Sequence, residues 1–365
     1  MNIGIDGYEA NIINRVGIGQ YAFQLLKAIY NLDNTNHYFI FLPNKPLADM
    51  PEIREGWEYV VGKPGSFWTI FQLPKLIKQK TLHLFFSPTH YTPWISGIGQ
   101  IMSIMDLAYI HYPKMFRIKD LIQLKAMTAV SIKKSQKILT ISEFSKNEII
   151  DHYHLKNENV IVTYPGLSPD LKLTDGLSFS QLQTKFKISK DYILFVSTIQ
   201  PRKNLTRLIE AFEKIDFAGI LVLVGKKGWL YESIFKRIKT SPKHDQIMYL
   251  DFVDTKDLAG LYKHAVCLAM PSLYEGFGIP VVEAMYFGCP VVVSRTTSLP
   301  EIARDAGIYV DPASVDDIAE GLVKAVQLSQ AEREKLIIIG KKRTESFSWD
   351  KCARQTLEVF ASIKI

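Results

Sequence analysis

Two glutamates separated by seven residues bracket a glycine turn in the segment SLYEGFGIPVVEAM, residues 272–285. Glu275 precedes Gly276 and Gly278, and Glu283 follows them. The glycines permit positive φ and a close backbone approach, and a helix predicted to begin near Ile279 offers unpaired N–H groups and the positive end of its dipole. This arrangement suits an anion such as a diphosphate, with Glu275 placed to accept hydrogen bonds from polyol hydroxyls.

Glu283 is predicted to lie one turn into that helix, among Val281, Val282, Ala284 and Met285. A carboxylate in apolar surroundings needs a partner to offset its desolvation. A ribose diol would serve, and so would a neighbouring backbone group or a basic side chain. The spacing alone leaves these alternatives open.

A second candidate cluster lies in FVSTIQPRKNLTRLIEAF, residues 195–212, where a strand is predicted to end before a helix. Arg202 and Lys203 are adjacent cations at this junction, placed to neutralise a pyrophosphate leaving group. A solvated basic pair is the alternative. The location at the expected carboxyl end of a strand favours the functional interpretation.

Three weaker candidates lie in the first half of the chain. Gly17 and Gly19 form a Gly-x-Gly loop before a helix, a shape that admits phosphate or sugar but lacks the third glycine of a dinucleotide fingerprint. Asp106 and His90 each follow a predicted apolar strand. The sequence has neither Asp-x-Asp nor a His/Cys spacing typical of zinc, so we expect no catalytic metal.

The elements that position these residues alternate between short apolar strands and amphipathic helices, the rhythm of doubly wound parallel sheets. At 365 residues the chain is long enough for two such domains. We predict α/β domains at residues 1–167 and 191–345 facing each other across a cleft, a linker at 168–190, and a C-terminal helix at 346–365 that packs back toward the first domain. The predicted strands are Ile3–Asp6, Tyr38–Leu42, Val60–Gly62, Leu82–Phe86, Gln100–Met105, Lys137–Ile141, Val160–Tyr164, Tyr192–Ser197, Ile220–Gly225, Ile247–Phe252, Val266–Met270, Val291–Ser294 and Ile308–Val310.

Charge is concentrated in residues 111–146, which hold eight Lys and Arg against Asp120 and Glu143 in a chain of net charge +7. A solvated helix face is one interpretation, and peripheral contact with an anionic membrane is the other. No nucleic-acid motif is present, so no nucleic-acid partner is expected. Three scattered cysteines are typical of buried thiols in a reducing cytoplasm, and neither a secretion signal nor a membrane-spanning run is evident.

Together, Glu275-x7-Glu283, Arg202-Lys203, the Gly17-x-Gly19 loop and the two doubly wound halves resemble glycosyltransferase family 4, the retaining GT-B transferases. The resemblance covers essentially the whole chain, and TIQPRKN, residues 198–204, is similar to mannosyltransferase-type members, often users of GDP-mannose. It implies a nucleotide-sugar donor with its diphosphate on Arg202 and Lys203, its ribose on Glu283 and its base near Gly225, Phe252 and Val253. Glu275 would contact the donor sugar, and the backbone of Gly276, Phe277, Gly278 and Ile279 would touch sugar and phosphate.

One departure affects the catalytic residues, because Met105-Asp106 stands where such transferases commonly have His-Asp. The catalytic candidates are therefore Asp106, His90 and Glu275, with reduced activity as a further alternative. The expected function is retaining transfer of a hexose to a glycan or lipid-linked sugar acceptor in cell-envelope polysaccharide synthesis. A UDP-sugar transferase, a nucleotide-sugar epimerase and a catalytically weak scaffold are the alternatives.

Overall fold

The structure is a computed structural model that describes residues 1–15, 17–63, 65 and 68–363. Strands and helices alternate throughout this part of the chain. The strands are β1 Asn2–Asp6, β2 His37–Leu42, β3 Trp57–Val61, β4 Leu84–Ser87, β5 Gly99–Ser103, β6 Lys137–Thr140, β7 Val160–Val162, β8 Tyr192–Val196, β9 Ile220–Val224, β10 Ile247–Leu250, β11 Cys267–Met270, β12 Val291–Ser294 and β13 Gly307–Val310. The helices are α1 Ile18–Leu32, α2 Leu73–Ile77, α3 Ala108–His111, α4 Ile118–Lys134, α5 Glu143–Tyr153, α6 Pro169–Lys172, α7 Phe179–Phe186, α8 Leu205–Lys214, α9 Glu232–Thr240, α10 Thr255–His264, α11 Ile279–Tyr286, α12 Leu299–Ala303, α13 Val315–Val326, α14 Gln330–Thr344 and α15 Trp349–Ser362.

The chain forms two compact units. The first contains Met1–His111, Ile118–Gly166 and Ser348–Ile365, and the second contains Tyr112–Arg117 and Leu167–Phe347. The short segment Tyr112–Arg117 thus belongs to the second unit, where Trp229 Nε1 donates a 2.5 Å hydrogen bond to the Met115 carbonyl. The chain therefore contributes sequence-distant segments to each unit.

The first unit is built on a seven-stranded parallel sheet in the order β3-β2-β1-β4-β5-β6-β7. Its central strands are buried on both faces, as in parallel sheets covered by helices on each side. Helix α15 packs against α1, with the Tyr21 and Trp349 rings 5.9 Å apart, and the Phe360 ring lies 5.2 Å from Phe86 of β4. The last helix thus completes the core of the first unit.

The second unit has a six-stranded parallel sheet in the order β10-β9-β8-β11-β12-β13. Apolar residues from β8, β9 and β12 form one core with α8 and α13, including the fully buried Phe195, Phe212 and Leu322. The prediction of two doubly wound parallel-sheet domains is therefore confirmed.

Every predicted strand overlaps an observed one, and the differences are at the ends. β3 begins earlier, at Trp57, and β5 ends at Ser103, so that Asp106 lies beyond its strand. Ser142 caps the start of α5, because its Oγ accepts a 3.0 Å hydrogen bond from the Ser145 backbone. Of the described helices, none combines the length and apolar character needed to cross a membrane.

Residues 168–190, predicted to form a linker, instead contain α6 and α7 and belong to the second unit. Helix α7 begins with a capping box between Ser178 and Gln181. The helix packs against α10, and its Leu182 is completely buried. The Gly, Pro and Ser residues of this stretch belong to helix caps and turns. Linkers are rich in the same residue types, so composition alone does not distinguish the two. Residues 364 and 365 of the predicted C-terminal helix lie outside the described residues.

Candidate active site

The strand order of the second sheet reverses between β8 and β11. In open α/β sheets, ligands bind beyond the carboxyl ends of the strands at such a switch point. Arg202 and Lys203 follow β8 in the 3₁₀ turn Pro201–Lys203, and Glu275 follows β11. The topology thus brings together three predicted site residues that are about 70 positions apart in sequence.

Lys203 and Glu275 form a buried ion pair. The lysine Nζ lies 2.6 Å from Oε1 and 2.8 Å from Oε2, and only 8% and 6% of the two side chains is exposed. Arg202 Nη1 donates to the Tyr274 carbonyl at 2.7 Å and lies 3.6 Å from Glu275 Oε2. Two cations surround one carboxylate, so the cluster has a net positive charge that suits an anion.

Asn204 fixes the turn that presents these cations. It adopts a left-handed conformation with φ 63°, and its side-chain amide donates to the carbonyls of Pro271 and Pro312 at 2.8 and 2.7 Å. Left-handed backbone is accessible to asparagine at low energetic cost. The residue thereby ties the loop after β8 to the loops after β11 and β13.

Buried polar atoms beside this pair lack partners among the described residues. They are Gln200 Oε1, Arg202 Nε and Ser272 Oγ. Most buried polar atoms in folded proteins are hydrogen-bonded. Because they lie around the switch point, these atoms are candidate hydrogen-bonding partners for a polar ligand.

The glycine turn is held rigidly in front of α11. Gly278 has φ 102° and ψ 54°, and a Cβ placed there would lie 2.7 Å from Leu299 Cδ2. Ser298 Oγ donates to the carbonyls of Glu275 and Phe277 at 2.9 and 3.1 Å. The Phe277 ring is buried, with its centroid 5.2 Å from that of Phe347, so the turn offers a ligand its backbone and not this side chain.

Glu283 lies in α11 as predicted and is only partly buried, whereas Glu275 is the more deeply buried carboxylate. Its partner is Tyr262 of α10, whose hydroxyl donates to Oε2 at 2.8 Å. Burial raises the pKa of Glu283 to about 7, and the Tyr262 hydrogen bond opposes that rise. Among the described residues, the Glu283 carboxylate has neither a backbone group nor a basic side chain as its partner.

Gly225, Phe252 and Val253 follow β9 and β10, the strands beyond β8 in the same sheet. Gly225 has φ 140°, and a Cβ there would lie 2.0 Å from the Ser197 carbonyl oxygen. Phe252 is 57% exposed, with the Lys226 ammonium 4.7 Å from its ring centroid. An exposed ring at this edge is available for stacking.

In the first unit, Asp106 and His90 follow the adjacent strands β5 and β4. Asp106 Oδ1 accepts a 2.9 Å hydrogen bond from the Ala108 backbone and so begins α3. Burial lowers the pKa of His90 and the Asp106 carboxylate opposes that change, so the two groups interact. Nδ1 of His90 is buried and makes no hydrogen bond to the described residues.

Asp6 is a candidate that the sequence reasoning missed. It ends β1 at the reversal of strand order between β1 and β4 and is 2% exposed. Oδ1 accepts hydrogen bonds from Trp68 Nε1 and the Tyr8 backbone, both at 3.1 Å, and burial raises its pKa to about 6. The sequence could have identified Asp6, because an aspartate that ends an apolar strand lies at the carboxyl edge of a parallel sheet.

Gly17 lies immediately before α1, as expected, whereas Gly19 lies in the first turn of that helix and not in a loop, because α1 already begins at Ile18. Gly17 is exposed with φ 51°, and Gly19 is buried, where a Cβ would lie 3.1 Å from the Glu9 carbonyl oxygen. Val16 of this loop lies outside the described residues. In the described part of the chain, no group of three His, Cys, Asp or Glu side chains is placed to hold a metal ion.

Comparison with known proteins assigns the second unit to a family. Residues 180–343 match the model for glycosyl transferases group 1. The chain is 26% identical to the O-antigen chain mannosyltransferase B of Escherichia coli over 94% of its length and 95% of that protein. It therefore has a group 1 glycosyl transferase domain.

Solved structures show the same fold over the whole chain. The sucrose-phosphate synthase of Thermosynechococcus elongatus matches with a TM-score of 0.79 at 17% identity, over 99% of this chain and 98% of that one. The HepE protein of Anabaena, in complex with UDP and glucose, matches with a TM-score of 0.74 at 17% identity, over 99% of both chains. The fold is that of GT-B glycosyltransferases, and the protein is a glycosyltransferase.

Proposed function

We propose that the protein is a retaining hexosyltransferase of family 4 that uses a nucleotide sugar. The observation that supports this most directly is the cluster of Arg202, Lys203 and Glu275 at the switch point of the second sheet, beside the glycine turn of α11. The cluster combines cations for a diphosphate with a fixed carboxylate for sugar hydroxyls.

The chemistry would be mainly electrostatic. The cations and the positive end of the α11 dipole would stabilise the departing diphosphate as the sugar becomes oxocarbenium-like. Lys203 holds Glu275 by both carboxylate oxygens, and this fixed orientation would allow the carboxylate to accept from a hydroxyl of the transferred sugar. We propose a front-face displacement, in which the leaving phosphate takes the proton of the acceptor hydroxyl.

The proposed donor is GDP-mannose. Its support is the TIQPRKN segment together with the mannosyltransferase name of the relative that aligns over nearly the whole chain. A UDP-sugar is the second candidate, since the structurally similar HepE was solved with UDP and glucose. The proposed acceptor is a hydroxyl of a glycan or lipid-linked sugar.

Calorimetric titration of GDP and of UDP into the wild-type protein tests the donor. We expect GDP to bind more tightly, and Arg202→Ala to lower its affinity ten- to hundredfold, since a charge-assisted contact contributes ~1.5–3 kcal/mol. Lys214→Ala is the matched control, because Lys214 is an exposed cation at the far end of α8. Tighter binding of UDP would replace the proposed donor, and unchanged affinity in Arg202→Ala would place the diphosphate elsewhere.

The two glutamates are proposed to hold different parts of the donor. Glu275→Gln is expected to depress turnover and relax sugar choice with little change in nucleotide affinity. Glu283→Gln is expected to weaken nucleotide binding itself, because its carboxylate would accept from the ribose. The reverse pattern of effects would show that the donor runs in the opposite direction through the site.

Asp106, with His90 beside it, is the proposed polar group of the first unit near the reaction. We expect Asp106→Asn to reduce kcat and to leave the affinity for GDP unchanged. His90→Gln separates the contribution of the imidazole. Equal turnover in all three proteins would remove both residues from the catalytic proposal.

We further propose peripheral contact with an anionic membrane through α4. Ile118 and Ile122 are 77% and 63% exposed, and Lys119 and Lys125 are exposed on the same helix. Such a helix presents apolar side chains to lipid and cations to headgroups, with ~1 kcal/mol for each well-placed cation. Lys137, by contrast, donates to the Glu158 carbonyl at 2.7 Å and is less available.

Co-sedimentation with anionic and neutral vesicles tests this contact. Ile122→Glu is expected to reduce binding to the anionic vesicles. The control is Ile338→Glu, since Ile338 is 68% exposed on α14 of the second unit. Equal, negligible binding to both vesicle types would leave a solvated helix face as the explanation.

A further inference from the structure

Tyr262 occupies an unusual position for a tyrosine hydroxyl. The side chain is completely buried on α10, and its only described hydrogen bond goes to Glu283 Oε2 at 2.8 Å. The ring stacks at an interplanar angle of 6° on Phe287, with centroids 6.2 Å apart. The phenol is therefore held on both its apolar face and its polar tip.

We propose that Tyr262 is a positioning residue for nucleotide binding, which orients the Glu283 carboxylate so that it can accept hydrogen bonds from a ribose diol. This inference rests on the proposed function, because it assigns the diol to Glu283. With Oε2 held from the protein side by Tyr262, Oε1 and the second lone pair of Oε2 can accept the two hydroxyls.

The electrostatics of the pair agree with this geometry. Burial raises the pKa of Glu283 to about 7, and a hydrogen bond donated to the charged form lowers it. A protonated Glu283 would present a donor where a diol needs an acceptor. Loss of the Tyr262 hydroxyl is therefore expected to raise the pKa of Glu283 further and to leave more of it protonated near neutral pH.

Other titratable groups around α11 have a smaller part in this balance. The thiol of Cys289 stays neutral, since burial raises its pKa to about 12, and burial also raises that of Cys267. The helices packed against α11 are α10, α12 and α14. Their ionisable side chains in the described part of the chain include Lys263, His264, Glu301, Arg333 and Lys341. The pKa of Glu283 instead depends on burial, which raises it, and on the Tyr262 hydrogen bond, which lowers it.

The test compares Tyr262→Phe with a matched control. Tyr192→Phe also removes a completely buried phenol hydroxyl in the same unit, but that hydroxyl donates to the Leu261 carbonyl at 2.7 Å and does not reach Glu283. Each protein is titrated with GDP and with UDP across pH 6 to 9. In parallel, the ionisation of glutamate side chains is followed by carbon-13 NMR in the absence of nucleotide.

For Tyr262→Phe we expect an affinity loss of about fivefold at pH 7 that shrinks as pH rises, because a pKa increase of about one lowers the ionised fraction of Glu283 from about 0.5 to about 0.1. KM for the donor should rise while kcat stays near the wild-type value. Only in Tyr262→Phe should the midpoint of the pH dependence of nucleotide affinity move to higher pH. The midpoint of the NMR titration of one glutamate should move with it. Tyr192→Phe should retain the wild-type midpoint.

Two results would overturn the inference while the proposed function stands. One is nucleotide binding by Tyr262→Phe with an unshifted midpoint, and the other is an equal, pH-independent loss in both variants, which indicates a purely structural role. If the wild-type protein binds neither GDP nor UDP, the proposed function itself fails, and this inference with it.

Discussion

Removal of Lys203 from the buried pair with Glu275 tests the site most directly. Lys203→Met keeps the length and apolar stem of the side chain and deletes its charge. The Glu275 carboxylate, 6% exposed, would lose its two contacts of 2.6 and 2.8 Å. Arg202, at 3.6 Å from Oε2, would be the nearest remaining cation.

The expected loss of stability follows from that geometry. Leaving one member of a buried ion pair without its partner costs about 3–5 kcal/mol. Movement of Arg202 toward Glu275 would recover part of this, so we expect about 2–3 kcal/mol in the second unit. Arg202 would then leave the Tyr274 carbonyl, and affinity for a nucleoside diphosphate should also fall.

A double-mutant cycle isolates the pair from the other effects of each substitution. The proteins are wild type, Lys203→Met, Glu275→Gln and the double variant. Denaturant-dependent hydrogen exchange of β8 and β11 reports the free energy of unfolding of the second unit separately from the first. We expect the double variant to be more stable than either single variant, with a coupling energy of at least about 2 kcal/mol.

A stability loss of less than about 0.5 kcal/mol in Lys203→Met, which is typical of exposed pairs, would contradict a stabilising buried pair. A coupling energy near zero would have the same meaning, because the two side chains would then act independently. Lys214→Met is the control, since Lys214 pairs with Asp316 on the surface, where both side chains are more than half exposed. It should change stability little.

Three further outcomes are expected. Gly278→Ala should destabilise the second unit by about 1–3 kcal/mol and weaken nucleotide binding, because φ is 102° and the new Cβ would meet Leu299. Denaturant unfolding measures the first effect and calorimetry the second. An unchanged stability and an unchanged affinity would contradict the turn geometry. Glu283 has a pKa raised to about 7 in the folded protein, so the native state binds more protons than the unfolded chain and stability should fall as pH rises from about 4.5 to 7. Glu283→Gln should flatten that slope in pH-dependent unfolding, and an unaltered slope would exclude the shift. Donor turnover should persist in excess EDTA, because Arg202, Lys203 and the start of α11 supply positive charge; loss that Mg²⁺ or Mn²⁺ restores would show a metal requirement.

Much of the fold could be predicted because its signals are local. Each strand of the two sheets is a short apolar run, and Ser142 and Gly278 mark helix starts with residue types that such positions require. The helix after the glycine turn begins at Ile279, as predicted. The prediction of a linker at 168–190 was wrong because it also used a local signal, and capping residues and linker residues have similar compositions.

The sequence by itself determined the alternation of strands and helices, and it indicated the candidate groups of the proposed site, Arg202, Lys203, Glu275 and Glu283. Only the tertiary structure decided which partners these groups have. It paired Lys203 with Glu275 across 72 positions, placed Tyr262 on Glu283 and buried Asp6 beside Trp68. Strand order and side-chain packing decide which loops meet at a switch point, and both depend on contacts between segments distant in sequence. Residue spacing encodes periodicity along one element, whereas the partner of a buried charge is set by the element that packs against it.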